Sequence, residues 1–135
     1  MFSGLVGQAI TAVRISEPEY SQGRPRPGIS GGSRAYFRAF LLLDSGQVIE
    51  LGTDSRGDPP LLHPTLEAVG RPLQCPLEPL DAIVGKTFTG VLQSSGIPFI
   101  EVDERDVVWV GDDLYGTEIT FEPKDESDFD DFRPM

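Results

Sequence analysis

At 135 residues the chain has the length of one domain, and its 39% apolar content, which leaves out 15 glycines, is that of an ordinary globular protein rather than a disordered one. Its longest apolar run, residues 39–43, is far short of the roughly 20 residues a membrane helix needs. One cysteine permits no internal disulfide, and one histidine excludes any site that needs two.

The net charge of −11 is unevenly placed. Residues 1–99 hold nine acids and eight bases, whereas residues 100–135 hold thirteen acids and three bases. An anionic carboxy-terminal third argues against binding nucleic acid phosphates, which calls for clustered Lys and Arg, and for a cationic partner. The amino terminus lacks the basic region and long apolar stretch of a signal peptide, so a cytoplasmic protein is expected.

In chain order, residues 5–15 alternate as a strand. Residues 17–34, rich in Pro, Gly, Ser and Arg, are expected to form a mobile loop. Residues 36–43 and 47–51 predict a hairpin turning at Asp44-Ser45-Gly46, and the run 39–43, apolar on both faces, predicts a strand covered on both sides. Six prolines in the connector 54–82 forbid a long helix and most sheet pairing there. Short helical turns are expected at 65–69, before Gly70, and at 79–84, before Gly85. A strand over 86–93, a turn at Ser94-Ser95-Gly96 and a short strand 99–102 follow. Residues 106–110 and 118–121 predict a second hairpin, joined by the turn-forming stretch 111–116. The acidic tail 123–135 is expected to be disordered on its own.

Residues 5–13 (LVGQAITAV) are echoed 78 positions later by residues 83–91 (IVGKTFTGV), and an apolar hairpin follows each copy. The expected architecture is a single all-β domain over 1–122 with minor helical turns. Two three-stranded antiparallel units would form a small sandwich or partly open barrel, with a pseudo-twofold duplication left open. The expected core is Ile10, Val13, Phe37, Phe40, Leu42, Ile49, Leu51, Ile83, Phe88, Val91, Val108, Val110, Ile119 and Phe121.

Catalytic chemistry finds little to build on. His63 and Cys75 are the only candidates for nucleophilic catalysis, and both lie in the proline-rich connector, where the plainer reading is a loop histidine and a packed thiol. The acids around Glu101 lack the calcium-loop pattern, and the glycines at 28–32 lack the lysine and helix of a phosphate cradle, so no metal and no cofactor is expected. What remains is a contact surface. Glu101, Asp103, Glu104, Asp106, Asp112 and Asp113 supply charge, and Tyr115 beside the turn supplies an aromatic grip on Arg or Lys. Phe129 and Phe132 would share one face if the tail turned helical on a partner, while Trp109 reads as core.

In size, acidity and lack of a catalytic constellation the chain resembles the small immunity proteins that bacteria make against their own toxins. That resemblance is one of class, carried by no motif. It implies a non-enzymatic protein, monomeric or homodimeric, that covers a basic protein partner such as a toxin, with no role at nucleic acid or membrane. A structural or adaptor subunit of a larger assembly is the alternative, and a small enzyme using His63 and Cys75 a third reading.

Overall fold

The structure is a computed structural model that describes residues 2–20, 34–51, 59–76, 80–113 and 116–135, without the side chains of Asp112 and Asp113. Three short 3-10 turns, Phe2–Leu5, Glu67–Val69 and Lys124–Glu126, punctuate a fold that is otherwise β. The strands are β1 (Ile10–Ser16), β2 (Glu19–Tyr20), β3 (Ala35–Tyr36), β4 (Ala39–Leu43), β5 (Val48–Glu50), β6 (Leu61–His63), β7 (Leu73–Gln74), β8 (Phe88–Ser94), β9 (Ile97–Val102), β10 (Asp106–Asp113), β11 (Gly116–Pro123) and β12 (Arg133–Pro134). They form a five-stranded sheet ordered β6-β5-β4-β1-β7 and a seven-stranded sheet ordered β12-β8-β9-β10-β11-β3-β2, neither of them closed.

The all-β class matches the sequence reading, but the sheets are larger than the three-stranded units expected. Each begins from the predicted strand plus hairpin, the second with the predicted strand 99–102 as β9 between them, and then gains edge strands of two or three residues, too short for periodicity to reveal. The connector contributes β6 and β7, each at an edge of the first sheet, where the ladder tolerates neighbouring prolines. Its predicted turn before Gly70 is the Glu67–Val69 turn, and a second turn spans 81–85. Of the expected loop 17–34, residues 21–33 lie outside the described residues. The flanking β2 and β3 pair with each other and extend the second sheet through a parallel contact of Ala35 with Gly116. Phe37, expected in the core, is only half-buried, because the chain crosses between the sheets from Tyr36 to Ala39.

Alternation sorts the side chains. Ala39, Leu41 and Leu43 of β4, Ile49 of β5, Ile100 and Val102 of β9 and Val108 and Val110 of β10 all enter one apolar cluster with Ile10, Val13, Phe88 and Val91. Both sheets therefore share a single core. The opposite face of β4 and β5 is also covered: Phe40 and Val48 pack with Val69, Leu42 and Leu73. A strand clad on both faces explains the uninterrupted apolar run at 39–43.

The echoed segments meet at an isolated antiparallel bridge between Ala9 and Thr87, the matching residues of the two copies. Gly7 N donates to Phe88 O (2.9 Å) and Gly85 N to Ile10 O (2.8 Å). Ile10 N donates to Lys86 O (2.8 Å) and Phe88 N to Gln8 O (2.9 Å). Each of these bonds becomes its companion when the two segments are exchanged. The register shift between Ile10 and Ala12 on β4 likewise recurs between Phe88 and Gly90 on β9.

Ser95 and Gly96 both take positive φ (54° and 79°), the two-residue turn that suits the twist of an antiparallel hairpin. Gly116 is confined more severely. Its φ is 114°, and a Cβ there would stand 1.9 Å from the Ala35 carbonyl oxygen. Gly116→Ala is expected to detach β2 and β3 from the sheet rather than breach the core, at a cost of about 2 kcal/mol. Faster amide exchange at Tyr20 and Tyr36, with the β8–β10 amides unchanged, is the result to look for.

Candidate functional site

The outer face of the seven-stranded sheet carries most of the residues singled out from sequence. Residues alternating with the core positions, Phe99 and Glu101 on β9, Val107 and Trp109 on β10 and Glu118 and Glu122 on β11, point away from the core. Phe99 and Val107 are nonetheless fully buried, Phe99 because the chain beyond Pro123 folds back over it.

That is the principal departure from expectation. The tail is not loose. Phe129 packs edge-on against Phe99 (5.1 Å between ring centroids) and Trp109 (5.2 Å), and Phe132 meets Phe99 at 5.0 Å with the rings at 89°. Edge-to-face geometry places the positive ring edge on a negative ring face, adding about 1 kcal/mol per pair to the burial itself. β12 pairs with β8, Met135 N donates to Val91 O (3.0 Å), and the Ser94 hydroxyl donates to the Asp130 carbonyl. Phe129 and Phe132 do share a contact surface, but it belongs to their own chain. Trp109, read as core, is instead a half-buried member of this aromatic cluster, and its indole N–H reaches Glu122 Oε1 at 3.4 Å.

The acids divide into two groups. The first is engaged locally. Glu101 accepts from Thr89 Oγ1 (2.9 Å) and from Lys124 Nζ (2.7 Å). Asp103 lies not on the strand with Glu101 but in the β9–β10 turn, with φ 55°. Its Oδ1 accepts from the Thr87 amide at 2.9 Å and its Oδ2 from Lys86 Nζ at 3.3 Å. The amide bond first, then the Lys86 ammonium, hold its carboxyl below the ordinary value. Among the described residues Glu104 is held only through its backbone amide, which donates to Thr89 Oγ1, and is exposed, whereas Asp106 is buried 3.8 Å from Arg105 Nε. The second group, Asp125, Glu126, Asp128, Asp130 and Asp131, is exposed along the docked tail. Among the described residues only Asp131 of these has an ion-pair partner, Arg133 at 3.2 Å. Asp112 and Asp113 lie in β10 at the tip of the hairpin, their side chains outside what is described; Tyr115 lies outside the described residues altogether.

On the other sheet the structure assembles a cluster the sequence reading missed. Glu50, buried on the outer face of β5, is held by the Arg38 guanidinium at Oε2 and by His63 Nε2, 2.9 Å from Oε1. His63 is therefore a strand residue diagonal to Glu50, not a loop histidine. Cys75, expected to be packed, is exposed. A glutamate inside the apolar run 48–51 was the available signal, but its partners lie twelve and thirteen residues away in no recognisable spacing.

Among the described residues, no group of three or more His, Cys, Asp and Glu is arranged to hold a metal ion, and no helix is long and apolar enough to cross a membrane. No family model matches the chain, and neither a curated protein nor a solved structure matches it.

Proposed function

We propose that the protein is a non-enzymatic binding protein that masks a basic protein partner, as the small immunity proteins do, and that the docked tail is its contact surface. One observation carries this reading: four acids, Asp125, Glu126, Asp128 and Asp130, stand exposed without ion-pair partners among the described residues, on a segment whose phenylalanines are pinned to a rigid sheet. Anchored through Phe129 and Phe132, these charges gather on one face, and an anionic face speeds encounter with a cationic one. Glu101, Asp103 and Asp106, already engaged within the chain, contribute to the field around that face rather than to direct contact.

The fold that presents this surface is, in our reading, a duplicated sandwich. Support comes from the hydrogen bonds exchanged between residues 7–10 and 85–88, and from the common order of β7-β1-β4-β5-β6 and β12-β8-β9-β10-β11. The pairing of Ile15 with Gln74 is matched by that of Gln93 with Arg133.

The test compares two fourfold neutralisations of the full chain. D125N/E126Q/D128N/D130N removes the tail charges; E19Q/D44N/E67Q/D81N removes four other exposed acids. Decalysine serves as the cationic probe at low ionic strength. The first variant is expected to bind it about tenfold more weakly and the second to bind almost as the parent does. Equal losses would mean that no defined surface exists, and the reading would fail.

A further inference from the structure

Docking places like charges together. The tail brings five carboxylates, from Asp125 to Asp131, onto a sheet face that already carries Glu101, Glu118 and Glu122. Local compensation is small: Lys124 answers Glu101, and Arg133, itself largely exposed, answers Asp131. Beyond the Lys124–Glu101 pair at its root, what holds the segment down is apolar and backbone contact, namely Phe129 and Phe132 against Phe99 and Trp109, the two-residue β12 ladder and the Ser94–Asp130 bond. The apolar and backbone contacts respond little to sodium chloride, whereas the opposing repulsion between exposed charges weakens as the screening length falls from about 30 Å at 10 mM to below about 8 Å. The matching surface of the other sheet shows what the same cover looks like without that opposition. There Phe40 and Val48 lie under Val69 and Leu73, in a stretch, residues 59–76, with Glu67 as its one acid.

We propose that residues 124–135 form a charge-gated strap: a basic partner that binds the tail acids also tightens the tail onto Phe99 and Trp109. This rests on the contact surface proposed above and adds its regulation. An attraction between cation and tail that depends on docking must, by linkage, strengthen docking by the same factor. The unliganded protein at low salt then holds its strap loosely, and the partner completes the fold of the face it recognises.

Trp109 is the chain's single tryptophan and lies under the strap, so it reports directly. Acrylamide quenching of the full-length protein would be measured at about 10 mM and 0.5 M sodium chloride, then at low salt with decalysine, each corrected with free N-acetyltryptophanamide. The quenching constant is expected to fall about twofold with salt and again with decalysine. D125N/E126Q/D128N/D130N should show the protected value at low salt and little response to either, and F129A/F132A should stay open under all conditions. A parent constant that is flat or rises with salt overturns the strap. Calorimetry on the same mixtures separates the two ideas. If decalysine binds while Trp109 accessibility is unchanged, the strap is wrong and the contact surface stands. If salt protects Trp109 but decalysine does not bind, the surface is wrong and the electrostatic opposition within the strap stands.

Discussion

Phe88→Ala is expected to lower the unfolding free energy by about 4 kcal/mol, a large part of the roughly 5–15 kcal/mol that holds a domain of this kind together. The side chain is fully buried in the cluster shared by both sheets, and its backbone makes two of the bonds that join the echoed segments. Removing the ring leaves a cavity in the cluster that both sheets share. Because the core is common to both sheets, the loss should appear in one cooperative transition, at the same denaturant midpoint by far-ultraviolet dichroism and by Trp109 fluorescence. Two separated transitions would show that the sheets unfold independently. A loss below about 1 kcal/mol would show that Phe88 is not the keystone its burial suggests.

Its counterpart Ile10 was legible as core for the same reason as Phe88: both follow a Val-Gly pair in alternating apolar runs. Where strands ran for five residues or more with buried apolar side chains, the sequence carried the signal, as in β1, β4, β8 and β10. Two-residue strands carry none. β2, β3, β7 and β12 exist because a distant edge offers unpaired backbone groups, and nothing in Glu19-Tyr20, Leu73-Gln74 or Arg133-Pro134 announces that edge in advance. The tail misled for a related reason. Five acids in seven residues have the composition of a disordered segment, and two phenylalanines count for little until Phe99 and Trp109 are seen side by side on an uncovered face. The acids themselves were legible as charge but not as two populations. Which of them meets Lys86, Lys124 or the Thr87 amide depends on strand register, and which stay exposed depends on where the phenylalanines anchor the chain.

Glu50→Ala is the other large effect expected, a loss of about 3 kcal/mol. Glu50 is 5% exposed and both its oxygens are used, so its removal strips two charge-assisted hydrogen bonds at once. Arg38, about one-third exposed, can recover water; His63, at 18%, recovers less, and this keeps the cost at the low end for a broken buried pair. The charges themselves are not what the fold requires. At the matching positions of the other sheet stand Ile97, Trp109 and Glu122, where an indole takes the place of the carboxylate and bonds the residue diagonal to it. Replacing the whole cluster, R38M/E50L/H63L, should therefore restore most of what Glu50→Ala loses, because no charge is then left to desolvate. Urea denaturation of the parent, the single and the triple variant decides the matter. If the triple variant proves as unstable as the single one, the charged cluster itself contributes stability that apolar packing cannot supply. If Glu50→Ala costs less than about 1 kcal/mol, the carboxylate is not the organising centre of that face.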